Sequence, residues 1–233
     1  MKINRKYNVN ENFFNNIDTE NKAYWLGFLW ADGNITKTTN RASGPNRLRI
    51  CQQYSDLNHI EKFKKDIKSE HNIKKTKDNI AQLDINSRTM CRSLENLGFS
   101  LKSKRIEVPK INNSLIRHFI RGYFDGDGSF SVYKQKVHHD NKIYILNKFE
   151  FSITGRRQFV LKIRKILEDN NIVTKNLAIK TYKNRAFETI TIKYGKHQDL
   201  LNLYGYLYKD STIYLKRKYS KFLEFLSYIN NGC

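Results

Sequence analysis

Residues 25–33 read WLGFLWADG, and residues 120–128 read IRGYFDGDG. The two segments align without a gap at an offset of 95 residues, which pairs Asp32 with Asp127. Each segment is an apolar stretch that ends in an Asp-Gly pair, and hydrophobic spacing of this kind predicts a buried helix. Two such helices in one chain indicate an internal duplication, which decides the fold.

A second match lies near the end of each half, at an offset of 107 residues, and pairs Gly98 with Gly205. The second copy must therefore contain 12 more residues than the first, and we place them in a hairpin around 137–141. We predict two domains that follow the repeat, 1–105 and 106–233.

The hydrophobic pattern predicts the element order αββαββα in both copies, which is an α+β fold. The helices of the first copy are expected at 22–32, 56–70 and 87–97, and its strands at 34–39, 46–53, 73–77 and 79–86. The helices of the second copy are expected at 112–126, 157–170, 195–205 and 214–229, and its strands at 129–136, 143–154, 174–182 and 185–193.

The composition limits the classes of partner. The chain of 233 residues has 43 Lys and Arg against 22 Asp and Glu, a formal net charge of +21. Such a surplus favours a polyanionic partner, of which nucleic acid is the commonest and an anionic membrane surface the alternative. No apolar run approaches the ~20 residues that span a bilayer, and the first residues lack a signal-peptide apolar region. A secreted or membrane protein is therefore not expected.

The two motif acids occupy unfavourable positions. Asp32 and Asp127 lie at the C-terminal ends of their predicted helices, where the helix dipole disfavours an anion by about 0.3–1 kcal/mol. Gly27 and Gly122 lie in mid-helix, where glycine costs about 0.5–1 kcal/mol relative to alanine. Close packing of the two helices would explain the glycines, and it would bring the acids together. A bound divalent cation, with Mg²⁺ favoured by oxygen ligands, would stabilise such a pair and suit phosphodiester hydrolysis.

Polar side chains also follow the predicted strands. On any one strand they are typical of a solvated sheet face, but together they form a basic ribbon of hydrogen-bonding groups suited to reading base edges in DNA. These candidate DNA-binding residues are Asn34, Thr36, Thr38, Arg47, Arg49, Gln53, Gln82, Asp84, Ser129, Ser131, Tyr133, Lys148, Glu150, Ser152, Arg185, Thr189, Thr191 and Lys193.

The duplicated motif resembles the two signatures of the LAGLIDADG homing endonucleases in their single-chain, two-repeat form. The stretch RHFIRGYFDGDGS at 117–129 is especially similar, and the blocks around Lys102 and Tyr208 resemble those that close each repeat. The similarity covers about residues 20–226. It implies two αββαββα halves whose antiparallel sheets form a saddle over duplex DNA. The implied activity is cleavage of both strands at a long asymmetric site, which leaves 3′ overhangs.

The resemblance also implies the roles of the site residues. Asp32 and Asp127 would hold Mg²⁺ or Mn²⁺, with Ca²⁺ as a non-catalytic substitute and the backbone at Gly33 and Gly128 nearby. A basic residue from each half would assist, and the best matches are Lys102 and Lys209, with Lys104 and Lys218 as alternatives. Gln52 would orient water in the first half, where the second half has Gly155.

The remaining implications concern partners and location. The protein is expected to act as a monomer on a double-stranded DNA target, without a membrane. It is expected in the cytoplasm or nucleoid of a bacterium or phage-infected cell, or in an organelle matrix.

Trp30 replaces the first acid of the motif, which is Asp125 in the second copy, and this position is expected to be structural. The alternative function is a non-cleaving binder with the same fold, either an intron RNA maturase or a DNA-binding regulator.

Overall fold

The chain folds into two compact units, Met1–Gly126 and Asp127–Cys233. The computed structural model describes residues 7–38, 44, 46–140, 142–175, 179–182 and 188–231. The units divide later than the predicted repeat boundary, because the motif helix of the second copy packs within the first unit. The domains 1–105 and 106–233 stay a prediction about the sequence repeat. No helix in the described ranges is long and apolar enough to span a membrane.

The first unit contains a four-stranded antiparallel sheet in the order β1-β2-β4-β3, within the part of the chain that the structure describes. Its elements are α1 (Glu20–Asp32), β1 (Gly33–Thr36), β2 (Arg47–Gln53), α2 (Leu57–Asp66), β3 (Ile73–Lys75), β4 (Ile80–Asn86), α3 (Arg88–Asn96) and α4 (Ile116–Asp127), of which α4 ends in the second unit. Leu48, Ile50, Leu83 and Ile85 are buried on one face of the sheet, so the alternating residues point outward.

The second unit repeats the arrangement, with the described strands in the order β5-β6-β8-β7. Its elements are β5 (Gly128–His139), β6 (Lys142–Arg156), α5 (Arg157–Asp169), β7 (Ile179–Tyr182), β8 (Thr189–Tyr194), α6 (His197–Tyr208) and α7 (Lys216–Asn230). Phe149, Phe151 and Ile153 are buried on the inward face, as their alternation predicts. The predicted α+β class and the order αββαββα are therefore confirmed.

Several elements differ from their predicted bounds. The helix expected at 56–70 ends at Asp66, because Lys68 adopts a left-handed conformation with φ 48° that a helix cannot continue through. The helix expected to end at 205 continues to Tyr208, where two further buried side chains extend its apolar face. The inserted residues of the second copy lengthen β5 and β6 to 12 and 15 residues, against 4 and 7 in β1 and β2.

The two motif helices are in backbone contact. A Cβ atom at Gly27 would lie 1.9 Å from the carbonyl oxygen of Phe119, and one at Gly122 would lie 2.0 Å from that of Tyr24. Any side chain larger than hydrogen would force the helices apart at both points. The close approach predicted from the mid-helix glycines is confirmed for α1 and α4.

Polar and aromatic contacts join the same two helices. The Tyr24 hydroxyl donates to Asp125 Oδ2 at 2.7 Å, and Asp125 is fully buried. The Arg121 guanidinium, also fully buried, donates to Glu20 Oε1 at 2.6 Å. Trp30, which replaces the first motif acid in α1, packs edge-on against Phe119 with ring centroids 5.6 Å apart. The expectation that this motif position is structural is confirmed in both copies.

His118 makes the stability of this helix pair dependent on pH. Burial and, to a smaller extent, the charge of the neighbouring Arg121 lower the pKa of His118 to about 4. The unfolded chain takes up a proton near pH 6.5, while the folded chain stays neutral there down to about pH 4. Stability is therefore complete above about pH 6.5 and is lost as the pH falls towards 4, by about 2 kcal/mol between pH 7 and pH 5.

Urea unfolding at these two pH values measures the loss. The variant His118→Gln keeps a hydrogen-bond acceptor for Arg121 but does not titrate, so its free energy of unfolding should change less between pH 7 and pH 5. Equal pH dependence in the variant and the unmodified protein would show that other groups are responsible.

Candidate active site and nucleic-acid interface

Asp32 is the last residue of α1, and β2 brings Gln52 to it. Gly33 on β1 pairs with Ile50 on β2. Gln52 lies two residues further along β2, so its side chain is on the same inward face as that of Ile50. Its Nε2 atom donates to Asp32 Oδ2 at 2.5 Å. The predicted position of Gln52 is therefore found, whereas its role in orienting water stays a prediction.

Asp32 lines an open cavity of about 510 Å³ together with Gln52, Gln82 and Gly126. A Cβ atom at Gly126 would lie 2.3 Å from the Ala31 Cβ atom and 3.0 Å from Asp32 Oδ2. Only glycine fits there, because the last turns of α1 and α4 touch at this point. Sequence reasoning did not assign a role to Gly126, although its place between the two acids of the DGDG segment was a visible signal.

Arg105 stabilises the C-terminal end of α1, and sequence reasoning missed it. Its buried guanidinium donates to the carbonyl oxygens of Trp30 at 2.7 Å and Gly33 at 2.8 Å, and it stacks on the Phe99 ring with its central carbon 3.7 Å from the centroid. A cation at this end of a helix offsets both the helix dipole and a terminal carboxylate. The unfavourable position of Asp32 was the signal that such a cation was needed.

Lys218 has the corresponding place in the second unit. It lies in the first turn of α7, is 4% exposed, and donates from Nζ to the Gly128 carbonyl oxygen at 2.6 Å. Lys102, Lys104 and Lys209 are exposed. In the second motif, the lysine that contacts the backbone is therefore Lys218 and not Lys209. Arg105 makes the equivalent contact with the backbone of the first motif.

The same two contacts concern residues that were predicted to lie at the metal. The backbone at Gly33 and Gly128 was expected near the cation, and the carbonyl oxygens of these glycines accept hydrogen bonds from Arg105 and Lys218. A role of Gly33 and Gly128 at the metal stays a prediction.

The outward face of the first sheet carries a connected polar network. Arg49 on β2 donates to both carboxylate oxygens of Asp84 on β4, at 2.6 and 2.9 Å, and Gln82 donates to Asp84 Oδ2 at 2.9 Å. Burial is the largest single effect and raises the pKa of Asp84, but the hydrogen bonds from Arg49 and Gln82 and the charges of Arg49 and Arg47 together hold that pKa below its usual value. The network holds a guanidinium and an amide on the outward face of the sheet.

The other candidate DNA-binding residues of the first unit also lie at its surface. Thr38 accepts a hydrogen bond from the Asn46 side chain at 2.7 Å, which closes the base of the loop between β1 and β2. The exposed or partly exposed candidates are Asn34, Thr36, Thr38, Arg47, Arg49, Gln53, Gln82 and Asp84.

The second sheet confirms the surface position of most of its candidates and corrects two of them. Lys193 donates to Glu150 Oε1 at 2.7 Å, and the pair lies on the outward face. Thr189 and Thr191 have the predicted strand parity but are only 2% and 3% exposed. The Thr191 hydroxyl is hydrogen-bonded to that of Thr154 at 2.7 Å, so a partner inside the protein occupies it.

The remaining candidates of the second unit are partly or fully exposed, and they are Ser129, Ser131, Tyr133, Lys148, Glu150, Ser152 and Lys193. Arg185 lies outside the described residues. Asp127, the last residue of α4, is partly exposed, as is Asp32. Among the described residues, no group of three or more His, Cys, Asp or Glu side chains could hold a metal ion.

Comparison with known sequences finds a family model that is similar to part of the chain. Residues 114–224 match the model of the LAGLIDADG-like domain. The replication factor C small subunit of Methanocaldococcus jannaschii is 28% identical over 204 residues, which are 82% of this chain and 10% of that protein. The RNA polymerase subunit Rpo1C of the same organism is 29% identical over 160 residues, 60% of this chain and 18% of that protein. The chain thus spans less than a fifth of these curated relatives.

Comparison with solved structures covers nearly the whole chain. The LAGLIDADG meganuclease I-CpaMI, solved with uncleaved DNA, has a TM-score of 0.66 at 14% identity over 92% of this chain and 93% of its own. The LAGLIDADG homing endonuclease I-LtrWI, solved with its target DNA, has a TM-score of 0.62 at 15% identity over 96% and 92%. The protein therefore has the fold of the single-chain LAGLIDADG homing endonucleases, and its residues 114–224 are similar to the LAGLIDADG-like domain.

Proposed function

We propose that the protein is a site-specific endonuclease that uses a divalent metal to cut both strands of a duplex DNA target and leaves 3′ overhangs. The observation that carries the proposal is the pair of motif acids. Each ends a motif helix whose terminal backbone is held by a buried cation, Arg105 for Asp32 and Lys218 for Asp127. Buried cations keep a carboxylate at a helix end where it would otherwise be disfavoured.

The donor set fits a hard cation. Asp32 and Asp127 would each supply a carboxylate, and the described residues include no group of three or more His, Cys, Asp or Glu side chains that could hold a metal ion. Mg²⁺ suits such a site, because it binds through one or two carboxylates and completes its coordination with water and substrate phosphates. A bound divalent cation would supply an activated water and stabilise the departing 3′ oxygen. The chain itself holds the carboxylates in place through α1 and α4.

Gln52 would act on one side of the site. It is bonded to Asp32 in the first unit, and strand register gives its counterpart in the second unit as Gly155, since Ile50 and Ile153 pair with Gly33 and Gly128. Glycine has no side chain to orient a water molecule or a carboxylate. We therefore propose that this assistance is confined to the first half.

A selection experiment tests the proposed function. Randomised DNA duplexes are selected for binding to the full chain in Ca²⁺, and the selected sites are then cloned and incubated with the protein in Mg²⁺. Linearised plasmid with 3′ overhangs is the expected result. Binding without cleavage in Mg²⁺ or Mn²⁺ would overturn the nuclease proposal and favour the non-cleaving DNA-binding regulator. Preference for RNA over these duplexes would favour the maturase.

Salt dependence tests the electrostatic part of binding. With a net charge of +21 and polar outward sheet faces, the protein is expected to contact about 6–10 phosphates. Affinity should then fall by about 10³–10⁵ between 50 and 200 mM salt because bound counterions are released. Titration of a labelled selected duplex at several salt concentrations measures the slope, and a flat profile would contradict DNA binding through a basic surface.

The lysine nearest the second motif can be identified by a pair of variants. Lys218→Met removes the buried ammonium from the Gly128 carbonyl and should lower the cleavage rate by about 10–100-fold, the effect typical of groups that orient a metal site. Lys209→Met removes an exposed charge and should change the rate less. Single-turnover cleavage in Mg²⁺ measures both. The reverse order would support the sequence prediction of Lys209 instead.

A further inference from the structure

The lengthened hairpin of the second unit continues the outward face beyond the sheet. Strand pairing matches Tyr133 with Lys148, Gln135 with Leu146, and Val137 with Tyr144. These residues alternate with the buried Phe149 and its inward neighbours, so they share the face that carries Ser129 and Ser131. The face is therefore continuous from the motif end of β5 to the distal end of the hairpin.

The chemistry of this face changes along its length. Near the motif it carries hydroxyl and charged groups, as in Ser131 and Glu150. Distally it carries large apolar side chains that remain exposed: Tyr133 by 49%, Tyr144 by 45% and Leu146 by 39%. Exposed side chains of this size on a two-stranded ribbon indicate a surface that is covered when a partner binds.

The charge of the hairpin shows which partner fits. Between 129 and 149 the sequence contains four lysines, Lys134, Lys136, Lys142 and Lys148, and a single acid, Asp140. By strand parity Lys142 and Lys148 lie on the face with Tyr144 and Leu146, and Lys134 and Lys136 lie on the opposite face. The hairpin as a whole is therefore basic, which suits a polyanion with an apolar surface of its own. A two-stranded β-ribbon fits the major groove of B-DNA, where thymine presents its C5 methyl group between the phosphate backbones.

We propose that the distal hairpin reads thymine methyl groups in the major groove through Tyr144 and Leu146, with Tyr133 next to them. This inference rests on the proposed function, because it requires duplex DNA as the partner. The face from Tyr133 to Val137 spans about 13 Å at ~3.3 Å per residue. That length corresponds to roughly four base pairs, so the thymines that are read should lie within about four base pairs at one outer end of the target.

The opposite face of the hairpin offers a matched comparison. Ile143 and Ile145 are 59% and 61% exposed and lie on the inward parity, beyond the core of the unit. They are apolar and more exposed than the proposed readers, but they lie on the face opposite to Ser129 and Ser131. RNA is a poor fit to the proposal, because uracil has no methyl group and the major groove of A-form RNA is too narrow for side chains to read.

Deoxyuridine substitution tests the proposal on the unmodified protein. Duplexes are selected for binding to the full chain in Ca²⁺, and single thymines at the outer positions are then replaced by deoxyuridine, which removes only the methyl group. Affinity should fall about threefold to fourfold for each methyl that is read, the factor for burying one methylene-sized group. The double variant Tyr144→Ser/Leu146→Ser should no longer distinguish thymine from deoxyuridine, while Ile143→Ser/Ile145→Ser should still do so.

Each other outcome would overturn the inference. Selected duplexes without thymine at the outer positions, or no loss with deoxyuridine, would exclude methyl readout while leaving DNA binding intact. Equal effects of the two double variants would show that the hairpin acts through its fold or through a protein partner. Failure to select any duplex would overturn the proposed function as well, so the two failures are distinguishable.

Discussion

We expect Asp32→Asn and Asp127→Asn each to lower the rate of DNA cleavage by about 10³-fold or more while leaving DNA affinity within a few-fold of the unmodified protein. A metal ion contributes several kcal/mol of transition-state stabilisation, and each 1.36 kcal/mol is a factor of ten in rate. Asparagine keeps the shape of aspartate but removes the charge that holds the cation. Single-turnover cleavage of a selected duplex in Mg²⁺, with binding measured in Ca²⁺, separates the two quantities.

Asp210→Asn is the matched control for this pair. Asp210 is exposed in the turn after α6 and adopts a left-handed conformation with φ 59°, which asparagine tolerates well. The control should cleave at the rate of the unmodified protein. Cleavage by Asp32→Asn and Asp127→Asn at that same rate would exclude these acids as metal ligands and would remove the basis of the nuclease proposal.

Gly27→Ala and Gly122→Ala should each lower the free energy of unfolding by about 3 kcal/mol or more. The added methyl would lie within about 2 Å of a backbone carbonyl oxygen, at Phe119 or Tyr24, and backbone cannot rotate away as a side chain can. Overpacking of a well-packed interface costs about 1–3 kcal/mol and sometimes more, and here α1 and α4 must separate to relieve it. Urea unfolding followed by circular dichroism measures the loss.

Gly205→Ala provides the control, because a Cβ atom at Gly205 in α6 would meet nothing within 4 Å. All three substitutions restrict the unfolded chain to the same extent, so differences between them report the folded state. Gly205→Ala should raise the free energy of unfolding by about 0.5–1 kcal/mol, as alanine is the better helix former. Unchanged stability in Gly27→Ala would show that the helices can separate without cost.

Much of the fold was predictable because its signals are local. A short stretch of sequence is enough to recognise the apolar motif segments and the alternation through Phe149, Phe151 and Ile153, because each has a fixed period. The mid-helix glycines are recognisable in the same way, because each indicates a steric requirement at one position. Gln52 was also predictable, since strand parity determines which face a residue occupies. The end of α2 was not, because the left-handed conformation at Lys68 has no glycine or asparagine to indicate it.

The sequence alone determined the duplication, the αββαββα order and the positions of Asp32 and Asp127 at helix ends, since these depend on spacing along the chain. Only the tertiary structure decided which cations serve the motif backbones. Arg105 is 72 residues from Gly33, and Lys218 is 90 residues from Gly128. The tertiary structure also decided that the Thr191 hydroxyl is hydrogen-bonded to the Thr154 hydroxyl inside the protein. Buried groups form hydrogen bonds with residues that are distant in the chain. The local spacing of the sequence therefore does not determine which of several neighbouring lysines becomes buried.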